Sequence, residues 1–122
     1  HIVPKYILEN ENFIPASGVV KDIETFDPNF WNLSHNDAML LDPQIRKLLE
    51  HAWFALEDSG YIKERKEIVI GTFAGMNDSS YQYTRIRNNQ DLSGLASDWE
   101  VQYLNSKDSL ATRLSYLLGL KG

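Results

Sequence analysis

An α/β fold is what this sequence predicts, and three observations carry the prediction. Residues 43–58 place Ile45, Leu48, Leu49, Ala52, Trp53 and Leu56 at spacings of three and four, which draws one apolar stripe along a helix. Residues 68–74 form a continuous β-branched and apolar run ended by Gly75, the pattern of a strand buried on both faces. Leu110, Ala111, Leu114, Leu117 and Leu118 then repeat the helical spacing, with Gly119 as a stop.

The elements follow in order. Residues 1–15 are weakly patterned and suggest an extended segment around Val3, Tyr6-Ile7-Leu8 and Phe13-Ile14, followed by a loop over residues 16–27. Ser34 is suited to cap a short helix, with Asp37 at its third position. Asp42 is suited to cap the long helix because its carboxylate can accept an orphan first-turn N–H. Pro43 fits the first helical position, where its missing N–H costs nothing. Gly60 suits the left-handed residue that ends the helix. Residues 63–67 read as a charged connector and residues 76–94 as a polar loop. Ser97 and Glu100 have the spacing of a capping box, opening a helix that reaches Tyr103 or Leu104. Ser106 is expected to cap the last helix. A lone strand makes no stable sheet, so its partners are expected in other sequence or another chain.

Composition narrows the function. The 122 residues are 43% hydrophobic and 24% charged, as in a globular domain, and can hold one modest domain. A net charge of −5 without a basic stripe argues against nucleic acid or an anionic membrane as partner. No apolar run approaches the roughly 20 residues of a membrane span, and no signal-peptide pattern opens the chain, so a cytoplasmic protein is expected. Zero cysteines exclude a disulfide, Cys-ligated zinc and a thiol nucleophile within these residues.

Several strings are more specific than their periodicity. Asp42-Pro43-Gln44-x-Arg46 is followed by Leu49-Glu50-x-Ala52-Trp53-x-Ala55-Leu56-Glu57-Asp58-x-Gly60-Tyr61. Upstream lie Gly18 and residues 22–31, with Asp22, Phe26, Asp27, Phe30 and Trp31. Downstream lie Ile70-Gly71-Thr72-Phe73-Ala74-Gly75 and Tyr81, then Asn105, Ser109, Ala111, Arg113, Ser115-Tyr116 and Gly119-Leu120-x-Gly122. In order and spacing, these resemble the β-ketoacyl synthase (ketosynthase) domains of modular polyketide synthases and related fatty-acid synthases. The resemblance implies a partial thiolase-like fold: the N-terminal half, with layered helices and a mixed sheet, dimeric in the family.

The family's nucleophilic cysteine lies in a Thr-Ala-Cys-Ser-Ser motif that would follow Gly122, its two catalytic histidines come later, and its opening strand would precede His1. The resemblance therefore implies an N-terminal ketosynthase fragment, residues 1–122, with no catalytic residue and no activity of its own. For the parent it implies decarboxylative Claisen condensation of an acyl group with a malonyl-type extender, through a cysteine thioester. The implied partners are the remainder of the ketosynthase domain, an acyl carrier protein and a second copy in a homodimer. Phosphopantetheine would arrive on the carrier protein, and no cofactor is expected on the fragment itself. The wording of Asp42-Pro43-Gln44 and of residues 55–61 leans toward polyketide synthases.

Other chemistry finds little support. His35 and His51 match no catalytic histidine of the family and lack metal-ligand spacing, so no metal is expected. Asp22, Glu24, Asp27, Asp37 and Asp42 are better explained by caps and solvated loops than by a carboxylate pair. No Ser-His-Asp order, phosphate loop or dinucleotide fingerprint is present. Asp42, Pro43, Gln44, Arg46, Asn105 and Arg113 read as a structural motif. Each arginine offers five fixed donors and is expected to pair with a carboxylate or a backbone carbonyl. Substrate-tunnel or dimer-interface candidates are Met76, Asn77 and Asp78, where a buried strand would end, and Val101, Gln102 and Tyr103, by resemblance. A competing reading from another class is a non-catalytic dimerisation or binding piece, a truncated ketosynthase.

Overall fold

The computed structural model describes residues 3–16, 18 and 20–122, and expectations touching His1, Ile2, Ser17 and Val19 lie outside them. Six α-helices order the described chain: α1 (Lys5–Leu8), α2 (His35–Leu40), α3 (Pro43–Ser59), α4 (Gln90–Ser93), α5 (Asp98–Leu104) and α6 (Leu110–Leu118). Short 3-10 turns lie at Glu64–Lys66 and Lys107–Ser109, and a π-helical turn at Gln82–Ile86.

The long helix starts and stops where its end residues dictate. Asp42 accepts the Gln44 N–H at 2.7 Å, Pro43 occupies the first turn, and Gly60 adopts φ +79°. An L side chain at that angle would meet its own backbone, so glycine is the residue that ends the helix cheaply. Helix α2 is capped as its sequence predicts: Ser34 Oγ accepts the Asp37 N–H at 3.0 Å and donates to the Asp37 carboxylate at 2.7 Å. The N-terminal expectation needs correction, because Tyr6-Ile7-Leu8 form one exposed helical turn, α1, rather than an extended segment.

Two apolar clusters hold the helices. In the first, Ile45 and Leu49 of α3 meet Leu110, Leu114 and Leu118 of α6, with Trp31 and Leu41 closing the ends. Phe30 meets Trp31 and Trp53 edge-on at 5.1 and 4.8 Å, an arrangement that suits the ring quadrupoles. The second cluster joins Leu40 of α2, Ile86 of the π-helical turn and Val101 of α5. Leu104 packs against both clusters and so links them.

The expected strand is the main departure. Among the described residues no strand is present, and residues 68–74 run without a hydrogen-bonded ladder. Their alternation survives on one side only. Ile70, Thr72 and Ala74 are half-buried, with the Thr72 and Ser115 hydroxyls 2.8 Å apart, whereas Val69 is 79% and Phe73 100% exposed. A ladder needs a second extended segment alongside, and none of the described residues supplies one. The thiolase-like resemblance thus reaches the helical layers, while the mixed sheet is not formed in these residues.

Residues 81–93 correct the loop expectation. Gln82 and Ile86, one on each end of the π-helical turn, are buried, and Asn89 caps α4 by accepting the Asp91 N–H at 2.9 Å. Ser106 does not cap α6 with its side chain; a 3-10 turn intervenes and α6 begins at Leu110. No helix of the described residues is long and apolar enough to cross a membrane.

Helix α5 carries the full capping box. Ser97 Oγ accepts the Glu100 N–H at 3.3 Å, and Glu100 Oε2 accepts the Ser97 hydroxyl at 2.7 Å and the Ser97 N–H at 2.8 Å. The Ser97 hydroxyl, then its N–H, hold the Glu100 carboxyl below its ordinary value. A depressed carboxyl stabilises the fold above its unfolded pKa, and that contribution is lost as pH falls through the folded value. Amide-exchange protection at the start of α5 is therefore expected to drop on acidification below the ordinary carboxylate range. Ser97→Ala should start less protected and lose this component of the pH dependence; an identical acid profile in the variant would refute the capping account.

Candidate functional site

The most connected polar group among the described residues is built around Asp42 and Asn105, which lie 63 residues apart in sequence. Asp42 is buried at the α2–α3 junction. Its N–H donates to Asn105 Oδ1 at 2.6 Å, and its carboxylate accepts from the Gln44 N–H, from Gln44 Nε2 at 3.4 Å and from the Ser79 hydroxyl. Asn105 Nδ2 donates to the Leu40 carbonyl at 2.9 Å and the Val101 carbonyl at 2.8 Å. One buried amide thus fastens the end of α2, the start of α3 and the last turn of α5. Such groups are tolerated inside a protein because each donor and acceptor is met.

The two arginines of the motif behave differently. Arg113 donates to the carbonyls of Leu104 and Tyr103, the latter at 2.9 Å, and lies 5.9 Å above the Tyr103 ring. Its charge sits at the C-terminal end of α5, where carbonyls gather and the helix dipole favours a cation. Burial pulls its pKa down from the usual guanidinium value, and Tyr103 partly opposes this. Arg46 departs from expectation: it is buried, its Nε has no partner, and no carboxylate or carbonyl of the described residues pairs with it.

The structure does not gather the substrate-tunnel or dimer-interface candidates in one place. Asp78 and Gln102 line one cavity of about 240 Å³, together with Ser79, Gln82 and Asn105. Asp78 pairs there with Lys107 at 2.7 Å, and this contact raises the Lys107 pKa. Met76 packs against the first core instead, Asn77 is exposed, and Val101 is buried in the second core. Tyr103 turns to another face, stacked on Trp99 at 5.7 Å. On that side Tyr103, Arg113 and Tyr116 border a cavity of about 380 Å³. Trp99 and Tyr116 are 70% and 85% exposed.

Sequence reasoning passed over Ser79, Gln82 and Lys107, which complete the first cavity. They lie in polar stretches without periodicity, so no local signal singles them out. His35 and His51 contribute to neither cavity: both are exposed, and His51 meets the Phe54 ring edge-on at 6.2 Å. No group of three or more metal-ligating side chains gathers among the described residues.

Comparison with known proteins places this geometry. Residues 5–122 match the family model described as beta-ketoacyl synthase, N-terminal domain. The chain is 36% identical over 122 residues to polyketide synthase PksN of Bacillus subtilis, covering 98% of the chain and 2% of that protein. It is 33% identical over 108 residues to the pikromycin polyketide synthase component PikAII of Streptomyces venezuelae, covering 88% of the chain and 3% of the relative. The crystal structure of ketosynthase twelve from the bacillaene polyketide synthase of Bacillus amyloliquefaciens superposes with a TM-score of 0.73 at 31% identity. That match covers 100% of this chain and 21% of the ketosynthase chain. The chain thus spans a small part of each relative, and it belongs to the N-terminal domain family of the beta-ketoacyl synthases.

Proposed function

We propose that this chain is an N-terminal scaffold part of a polyketide-synthase ketosynthase, whose complete domain extends an acyl chain by decarboxylative Claisen condensation. The observation that carries this reading is the superposition of the whole chain on a polyketide-synthase ketosynthase. In the complete domain a cysteine thiolate takes the acyl group from a carrier-protein thioester and releases the carrier thiol. A malonyl-type extender on a second carrier loses CO₂, its carbanion equivalent attacks the acyl-cysteine, and the cysteine thiolate departs. Backbone amides and histidines outside these residues stabilise the developing charge. Phosphopantetheine enters as the carrier protein's arm, and no residue here is assigned to hold it.

What this chain contributes is position. The Asp42–Asn105 network fixes the start of α3, and residues 68–74 offer an extended edge to strands of the remaining domain. The surface of Trp99, Tyr103, Arg113 and Tyr116 has the aromatic and arginine composition of interface anchors and supports pairing with a second copy. The same surface serves the alternative of a non-catalytic dimerising piece. Acyl transfer separates the two readings. Incubated with an acyl N-acetylcysteamine thioester, the 122-residue chain should gain no mass, while a polypeptide continuing through the cysteine motif should gain one acyl group. A stable adduct on the short chain, or none on the long one, overturns the proposal.

A further inference from the structure

The cavity of about 240 Å³ is lined by a polar group that the fold leaves idle. Gln82 opens the π-helical turn and is 7% exposed. Its backbone carbonyl accepts the Arg87 N–H at 3.0 Å, but none of the described residues bonds its side-chain amide. That amide is not sealed in. Among the described residues, Arg46 Nε is the one side-chain nitrogen or oxygen both closed to solvent and without a partner. The Gln82 amide therefore reaches open space, and the space it borders is this cavity. Its neighbours are otherwise engaged. Asn105 and Ser79 commit their side chains to the Asp42 network, Lys107 pairs with Asp78 at 2.7 Å, and Asp108 is exposed. Gln102 lines the same cavity, and its amide also lacks a partner among the described residues. Folded proteins nearly always meet a buried amide, and π-helical turns recur at functional sites.

We propose that this cavity takes the acyl chain of the ketosynthase substrate, and that Gln82 selects chains bearing a hydroxyl group. A hydroxyl is a small neutral group that both donates and accepts, so it can meet an amide oxygen and an amide N–H together. A saturated chain would strip water from the Gln82 amide and leave it unpaired, the penalty by which polar sites reject analogues that lack the polar group. Neither a carboxylate nor an ammonium group finds a buried, unpaired countercharge in this lining. The volume lies below the roughly 300–1,000 Å³ of drug-sized ligand sites, which suits a short chain. The inference rests on the ketosynthase reading, which supplies the acyl chain. It goes beyond that reading in naming the class of chain and the residue that chooses it.

The test compares three N-acetylcysteamine thioesters, hexanoyl, 3-hydroxyhexanoyl and 5-hydroxyhexanoyl, as acyl donors to the polypeptide that continues through the cysteine motif. In each transfer the acyl group passes to the cysteine sulfur and N-acetylcysteamine leaves as the thiol, so intact mass follows the rate. At least one hydroxylated thioester should show a kcat/KM at least about tenfold above hexanoyl, as expected of a site that bonds a substrate hydroxyl. Gln82→Leu, which removes the amide at similar volume, should erase that preference by slowing the hydroxylated substrate while sparing hexanoyl. Gln82→Met is a second apolar replacement in case leucine disturbs the turn. Equal rates for all three thioesters in the unmodified polypeptide overturn the inference without any variant. A preference that survives both replacements, or rates that fall alike on all three substrates in both, overturns the role of Gln82. No transfer from any thioester sinks the ketosynthase reading and this inference with it, whereas transfer without preference sinks this inference alone.

Discussion

Asn105→Ala should lower the free energy of unfolding by about 3 kcal/mol, because it strands two buried backbone groups in one step. The Asp42 N–H loses its acceptor and the Leu40 carbonyl its donor, while the Val101 carbonyl keeps the Asn105 backbone N–H at 3.2 Å. Leaving a buried group unsatisfied costs more than an average hydrogen bond contributes, since water cannot replace the lost partner. Against a total of about 5–15 kcal/mol for a typical domain, this is a large share. Urea denaturation followed by tryptophan fluorescence measures it. Asn105→Asp separates the parts: its carboxylate still accepts from Asp42 but donates nothing and adds charge beside the Asp42 carboxylate. It should be no better than alanine. A shift below about 1 kcal/mol for both variants would show that the network is satisfied another way.

Leu49→Ala carries the second large effect. Leu49 is 1% exposed and sits in the seam between α3 and α6. Truncation removes its burial and leaves a cavity that a leucine-lined seam closes only in part, at a cost of about 2–5 kcal/mol. Phe54→Ala, on the exposed side of the same helix, should stay within about 0.5 kcal/mol. The contrast is read from the denaturation midpoints at unchanged slope. Similar losses at both positions would mean that α3 is held by its length and caps rather than by this seam.

The sequence disclosed what is decided locally. The bounds of α3 and the start of α5 were legible because a cap, a proline and a stop glycine are neighbours in the chain. Residues 68–74 misled because a strand is defined by its neighbour, and hydrophobicity says nothing about whether one is present. The π-helical turn stayed hidden because only Gln82 and Ile86 are buried in it, and a glutamine does not announce burial. In the site, Asp42 was visible as a cap, but its bond to Asn105 joins distant residues and follows only from the packing of α2 on α5. The unpaired state of Arg46 was unforeseeable for the same reason: whether a guanidinium has a partner depends on what the fold brings beside it.

The distance along the chain between Asp42 and Asn105 also sets a schedule. At about 5–20 residues per second of synthesis, the 63 residues separating them take about 3–13 s to appear. Throughout that interval Ile45 and Leu49 have been synthesised and Leu110, Leu114 and Leu118, which cover them, have not. Native-like burial of α3 during translation must wait for nearly the last residues of this segment, so the nascent chain passes through a period in which its most apolar helix face belongs to any surface that meets it.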